Sequence, residues 1–218
     1  MSRSLSPSRH WARVLDLGPE WVGLPVDFSA TGWADPAAYA QDIAAALITR
    51  DRELGATDLP GDLGTRVADQ ILDTYTRLIG IVPAHFHLLL WPDLSRPPIP
   101  VFLGLWEPEQ DRASAEAYYT GAGEYDEVSR EMPVRERFVT DALGDGVRVL
   151  SLAPLASDDP EDADAVLAVA AYHWRTTALP TDVQLLALTH ELGRLYSALP
   201  ALDAFARGIV LTDTPTSE

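Results

Sequence analysis

The strongest hydrophobic pattern of the chain lies at residues 84–106, where two apolar runs flank a linker with three prolines, PDLSRPP. Successive residues of a strand point to opposite faces, and in each run both faces are largely apolar. Strands of this kind are covered on both sides. The pattern therefore predicts a pair of buried antiparallel strands at the centre of a sheet.

Two helical patterns precede this pair of strands. Asp35 is a favourable N-cap and Pro36 suits the first helical position, and apolar residues then recur at helical spacing up to a stop at Gly55. A second amphipathic pattern runs from about Asp62 to Gly80. The short link between the two patterns predicts an antiparallel helical hairpin.

The other elements follow from alternation, turn residues and helical spacing. In chain order they are an edge strand over 11–17, an irregular connection over 21–33, a hairpin of strands 134–141 and 147–155 turning at 144–146, a hairpin of strands 165–176 and 182–189, and a closing helix capped by Thr189 with Ile209 in its inner stripe. Together they predict an α+β fold, in which an antiparallel sheet of about six or seven strands has helices packed on its faces. We expect one domain over 11–211, with flexible termini at 1–10 and 212–218.

Composition narrows the classes of function. The 218 residues include no cysteine, and all 16 basic residues are arginine, which excludes disulfides, thiolate catalysis, a Schiff-base lysine and a P-loop lysine. The formal net charge of −17 opposes nucleic-acid binding. Solubility is the commoner role of such a charge, and docking to a partner with a basic surface is the alternative. No apolar run has the length of a membrane span and the first residues do not form a secretory signal, so we expect a cytoplasmic protein that does not bind a membrane.

Three histidines are the candidate metal ligands. His85 and His87 share one face of the first central strand, a spacing that can hold a metal, and His173 lies on a later strand. No further ligand follows the first two, because Leu, Leu, Leu, Trp and Pro come next. Histidines that bond to neighbouring polar groups are the commoner arrangement, so we predict no metal and no cofactor.

The sequence contains no recognised catalytic motif. The Gly-x-Ser-x-Gly elbow of hydrolases and a glycine-rich phosphate loop are absent, and the pair His190-Glu191 lacks the second histidine of a zinc protease. The six tryptophans suit either the rim of a pocket or interface or the ends of a packed sheet, and the second arrangement is the commoner. We therefore predict no catalytic residue.

The connection over 107–131 is the strongest candidate for a contact surface. A short helix over 111–119 is followed by glycines at 121 and 123, and connections of this length are commonly functional. Tyr118, Tyr119 and Tyr125 are the candidate partner-binding residues. The alternative is that these tyrosines pin the connection to the body of the fold.

The order of these elements, together with the closing helix that reads LDAFARGI over 202–209, resembles the Mog1/PsbP-like proteins of high-GC bacteria. The resemblance implies an α/β/α sandwich around a central antiparallel sheet, and a non-catalytic binding or accessory role. No functional residue carries over from it.

We therefore expect a non-enzymatic protein-binding or accessory module whose partner is another protein. A homo-oligomer is an open alternative for the assembly state. One alternative is a metal-dependent or small-molecule enzyme that uses His85, His87 and His173. The other is a structural subunit of a larger assembly, in which the tryptophans are interfacial.

Overall fold

A computed structural model describes residues 6–15, 17–29, 31–80, 82–108, 112–120, 133–154 and 166–213, apart from the side chains of Arg112, Tyr118 and Pro154. Its strands are β1 (Trp11–Val14), β2 (Trp21–Leu24), β3 (Phe86–Leu90), β4 (Ile99–Trp106), β5 (Val134–Thr140), β6 (Gly144–Pro154), β7 (Val166–Thr176), β8 (Thr181–Thr189) and β9 (Ile209–Thr212). Its helices are α1 (Pro36–Glu53), α2 (Leu63–Leu78), α3 (Arg112–Thr120) and α4 (Leu192–Gly208). Within these ranges no helix combines the length and hydropathy that a membrane span requires.

Seven strands form one antiparallel sheet in the order β2-β3-β4-β8-β7-β6-β5, while β1 pairs with β9 in a separate two-stranded sheet. The predicted α+β fold with six or seven strands is confirmed. The chain divides into two compact units, which we call the inserted unit (Gly18–Val101) and the main unit (Met1–Leu17 with Phe102–Glu218). The single domain over 11–211 stays a prediction, and the units are described in turn.

The inserted unit contains the predicted helical hairpin. Asp35 caps α1, because its Oδ1 accepts a hydrogen bond from the Ala38 backbone N–H at 2.8 Å, and Gly55 follows the helix with a φ of +98°. The helices pack on each other and share one core with β2 and β3. The buried members of that core are Val22, Leu24, Tyr39, Ala40, Ala44, Leu47, Leu63, Val67, Ile71, Leu89, Trp91 and Leu94.

The interpretation of 21–33 as an irregular connection is wrong at its start. Trp21–Leu24 forms β2, which pairs antiparallel with β3 so that Trp21 lies opposite Leu90. This strand has only four residues and contains Gly23, so its sequence has a weak local preference for a strand. Its backbone is paired because β3, more than sixty residues later in the chain, lies beside it.

The main unit holds β5–β8 with one helix on each face. On one face Tyr119 of α3 stacks on His173 of β7, and on the other Tyr172 of β7 donates a hydrogen bond to Asp203 of α4. The predicted hairpins are present. The first one turns at 141–143 rather than at 144–146, since Gly144 is already paired with Thr140 and has a φ of +79°.

The closing helix ends earlier than expected. α4 stops at Gly208, and Ile209, predicted to lie on the inner stripe of the helix, begins β9. A Cβ at position 208 would lie 2.7 Å from the Leu15 carbonyl oxygen, so glycine permits the close approach of the helix end to the chain after β1.

Residues 6–10, which we expected to be flexible, make specific contacts in the main unit. The Ser8 N–H donates to the Leu105 carbonyl at 2.9 Å, and Pro7 forms a bridge with Trp106. The side chain of His10 is 6% exposed, and its Nδ1 lies 2.9 Å from Asp213 Oδ1 near the other end of the chain.

Candidate functional site

The helix of the long connection is fixed to the sheet of the main unit. Tyr119 is 5% exposed and stacks on His173 with ring centroids 5.1 Å apart, and Gln184 Nε2 donates to the Tyr119 carbonyl at 2.8 Å. The ring of Tyr119 is therefore part of the packing, as the alternative interpretation of these tyrosines expected. The side chain of Tyr118 and all of Tyr125 lie outside the described residues, so their role stays a prediction.

An ion pair joins this helix to the edge strand β5. Glu116 of α3 accepts from Arg135, whose Nε lies 2.9 Å from Glu116 Oε1. The Arg135 side chain is 61% exposed, so solvent weakens the attraction, and the pair stabilises the fold by less than about 1 kcal/mol. Buried apolar contacts, with Ala115 at 2% exposure, account for most of the anchoring.

Three polar side chains of β7 and β8 meet on the face that α3 covers. The register places Arg175 opposite Asp182, and His173 lies two residues earlier on the same face as Arg175. Asp182 Oδ1 accepts from Arg175 Nε at 2.7 Å and from His173 Nε2 at 3.1 Å, while its Oδ2 accepts from Arg175 Nη2 at 2.6 Å. Burial by itself raises the pKa of Asp182, but the hydrogen bonds from Arg175 and His173 outweigh it and leave the pKa below its usual value.

This network can hold structure more readily than it can perform catalysis. An aspartate that orients a histidine is part of a catalytic triad. Here the same carboxylate is bound twice by Arg175, and the His173 ring is 2% exposed under Tyr119. The geometry is that of a buried ion pair whose hydrogen-bonding groups satisfy one another.

A second network fixes α4 on the opposite face. Arg148 Nη1 lies 2.8 Å from both carboxylate oxygens of Asp203, and Tyr172 Oη donates to Asp203 Oδ1 at 2.7 Å. Burial, and then the neighbouring Asp203 carboxylate, raise the pKa of Tyr172, which keeps its hydroxyl protonated as a donor. This face also carries an aromatic cluster, in which Phe138 contacts Tyr172 edge to face at 5.1 Å.

The two histidines of the inserted unit lie at the start of β3. His87 is 4% exposed, and its Nε2 donates to the Val82 carbonyl at 3.0 Å. Burial lowers the pKa of His85 and of His87. The hydrogen bond to Val82 raises the pKa of His87, but by less than burial lowers it, so both rings are neutral at neutral pH. Across the described ranges, no group of three or more His, Asp or Glu side chains could hold a metal ion.

The tryptophans range from buried to half exposed, and Trp21 and Trp33 are intermediate. Trp91, Trp106 and Trp174 have exposures between 0 and 4%, so they belong to the core, as the packing interpretation expected. Trp11, in contrast, is 48% exposed. Tryptophan is highly buried on average, and its large apolar ring is favoured at interfaces, so Trp11 is a candidate contact residue.

Trp11 belongs to the two-stranded sheet of β1 and β9, which we call the ribbon. Trp11 lies opposite Thr212 and Arg13 opposite Val210, so these four residues share the outward face. The residues on the other face include Ala12 and Ile209, which are 7% and 0% exposed. Leu15 and Leu17, just after β1, are 44% and 48% exposed and extend the apolar surface of this stretch.

Sequence reasoning missed the ribbon as a surface. It assigned Ile209 to a helix and grouped Trp11 with tryptophans that fill the core. One signal was available, because the run Ile-Val-Leu-Thr after Gly208 is rich in β-branched residues, which favour a strand.

Neither a protein-family model nor a curated protein sequence matches this chain. The resemblance to Mog1/PsbP-like proteins accordingly stays a prediction, and the function is argued from the geometry alone.

Proposed function

We propose that this protein is a non-enzymatic protein-binding or accessory module, and that the ribbon is its principal contact surface. The observation that carries the proposal is the exposure of Trp11, Leu15 and Leu17 within one short stretch of the main unit. Exposed apolar groups of this size are typical of protein–protein contact sites, and tryptophan is the residue most enriched at their energetic centres.

The polar networks agree with a role in binding rather than in catalysis. His173, Asp182 and Arg175 bond to one another beneath α3, and Arg148, Asp203 and Tyr172 do so beneath α4. Side chains engaged in this way hold the two helices on the sheet. Asp203 thereby joins to the sheet the helix α4, which leads directly into β9 of the ribbon.

The segment over 121–133, which follows α3, is the second candidate contact. It is flanked by two elements of the fold: Thr120, the last residue of α3, is 2% exposed, and Val134 begins β5. The segment between them includes Tyr125, a residue type favoured at interfaces. We propose it as an additional contact, for which a partner with a basic surface suits the acidic residues of the chain.

Affinity purification from the native host, with the full chain as bait, tests the proposal. We expect a second protein in near-stoichiometric amount with the wild-type chain, and a large loss of it with Trp11→Ser or Leu15→Ser. Leu54→Ser is the matched control, because Leu54 is 76% exposed in the inserted unit and undergoes the same chemical change.

Tyr125→Ser measures the contribution of the second candidate contact. The proposal is refuted if no stoichiometric partner is recovered, or if Leu54→Ser lowers the recovery as much as Leu15→Ser does. Circular dichroism of each variant shows that a loss of partner is not a loss of fold.

A further inference from the structure

We infer that a cleft of the main unit binds a small amphoteric molecule, a free amino acid or a short peptide, with its carboxylate on Arg9 and its ammonium group on Glu107 and His10. The cleft has a volume of about 340 Å³ and lies where the chain enters β1. The inference goes beyond the proposed function, because it concerns a ligand site rather than the outward face of the ribbon. The residues that line the cleft are Ser8, Arg9, His10, Glu107, Pro108 and Pro180.

Paired backbone forms one wall of the cleft. The Ser8 N–H donates to the Leu105 carbonyl at 2.9 Å, and the Glu107 N–H donates to the Ser6 carbonyl at 2.9 Å. The Ser8 hydroxyl also lies 3.2 Å from the Thr181 hydroxyl at the start of β8. The segment before β1 is therefore held against the end of β4, and the backbone positions from which the charged side chains of the cleft extend are fixed relative to one another.

The ring of His10 has one nitrogen engaged and one available. Its Nδ1–H donates to the Asp213 carboxylate, with Nδ1 2.9 Å from Oδ1. In the neutral imidazole Nε2 is then an acceptor. Nε2 bonds to no residue that the structure describes, although the His10 side chain is only 6% exposed. Polar atoms of buried side chains are ordinarily hydrogen-bonded, so Nε2 suits a donor that enters the cleft.

Arg9 and Glu107 place opposite charges in the cleft without neutralising each other. Both residues are exposed, and neither forms an ion pair with another described residue. A guanidinium group binds a carboxylate through charged hydrogen bonds, and a carboxylate binds an ammonium group in the same way. An anion without an amine is repelled by Glu107, and a cation without a carboxylate is repelled by Arg9. Charge complementarity therefore selects a ligand that carries both groups.

Titration of the full chain with glycylglycine at pH 7, followed by the amide signals in ¹H–¹⁵N NMR spectra, tests this inference. Glycylglycine carries both charges, whereas N-acetylglycylglycine lacks the ammonium group and glycylglycine amide lacks the carboxylate. We expect saturable shifts of the Ser8, Arg9, His10 and Glu107 signals with glycylglycine, which weaken as salt is raised. Each blocked peptide should bind about tenfold more weakly or worse, because it loses a charged hydrogen bond.

Two substitutions assign the charged contacts. Arg9→Gln should weaken the binding of glycylglycine about tenfold and abolish its advantage over glycylglycine amide, because the partner of the carboxylate is gone. Glu107→Gln should weaken it by a similar factor. Arg13→Gln is the matched control for the arginine, since Arg13 is exposed in the same segment but does not line the cleft. Glu53→Gln is the control for the glutamate, since Glu53 is exposed at the end of α1.

The inference is overturned if glycylglycine causes no saturable shift, or if either blocked peptide binds as tightly as glycylglycine. Equal losses with Arg9→Gln and Arg13→Gln also overturn it, as do shifts that spare the signals around the cleft. The recovery of a partner by the wild-type chain and its loss with Trp11→Ser are measured separately. The proposed function therefore stands if only the glycylglycine titration fails.

Discussion

Among the buried polar groups of the main unit, the carboxylate of Asp182 is the one whose loss has the clearest expected effect on the free energy of unfolding. It is 1% exposed and accepts three hydrogen bonds from Arg175 and His173. In Asp182→Asn the amide keeps one oxygen acceptor, but its NH₂ group now faces N–H donors. Arg175 and His173 are then left with fewer acceptors than donors in a buried site.

The size of the effect follows from this geometry. Removing one partner of a buried ion pair costs about 3–5 kcal/mol, because the other charge stays buried without compensation. The Arg175 side chain is 16% exposed, so water solvates part of its charge, and we expect a loss of about 2–3 kcal/mol in the free energy of unfolding at pH 7. For a chain of this length that corresponds to a fall of about 4–12 °C in Tm.

Acid should reduce the difference in stability between the wild type and Asp182→Asn. The pKa of Asp182 is lower in the folded protein than its ordinary value of 3.8, so the stability it contributes is fully present above that value and is lost as the pH falls through the lower folded pKa. The difference between the two proteins should be constant from pH 7 to about pH 5 and shrink below about pH 4.

Urea unfolding followed by circular dichroism at pH 7, 5 and 3.5 gives these free energies. Asp73→Asn is the matched control, because Asp73 pairs with Arg77 at 2.8 Å on a surface where the two side chains are 56% and 74% exposed. It should cost less than about 0.5 kcal/mol. A cost below about 1 kcal/mol for Asp182→Asn at pH 7 contradicts the reasoning, as does a difference that is no smaller at pH 3.5 than at pH 5.

Two further predictions concern the packing and the second polar network of the main unit. A Cβ at Gly146 would lie 2.3 Å from Trp174 Cδ1, so Gly146→Ala should lower the free energy of unfolding by about 1–3 kcal/mol. A Cβ at Gly193 in α4 meets nothing within 4 Å, so Gly193→Ala should raise the free energy of unfolding slightly. Urea unfolding compares the two variants, and equal effects would count against a steric cause. Tyr172→Phe removes the hydrogen bond to Asp203 and should cost about 1–2 kcal/mol in the same measurement, with no loss of helix content; an unchanged stability would mean that Arg148 alone satisfies the carboxylate.

Elements with strong local patterns were predictable from the sequence. The N-cap at Asp35, the glycine stop at Gly55 and the two apolar faces of β3 and β4 are determined by residues close together in the chain. The fold class followed from the same patterns, because alternating and helical periodicities specify which elements exist and which faces they bury.

The short strands β2 and β9 had at most weak local patterns. Each has four residues, and each is a strand because a distant segment lies beside it: β3 beside β2, and β1 beside β9. Ile209 illustrates the difficulty, since its apolar side chain suits the inner face of a helix as well as the buried face of a ribbon. Pairing between remote parts of the chain has no signature within a window of a few residues.

The candidate sites depended most strongly on tertiary structure. The sequence by itself determined which chemistry was possible: no cysteine, no lysine, a net charge of −17 and a few histidines, tyrosines and tryptophans as candidates. Only the packing decided that Tyr119 of α3 is buried against His173 of the sheet while Trp11 stays half exposed on the ribbon. Exposure is a property of what other segments cover, and residues of the same type become core or surface according to neighbours that lie far away in the chain.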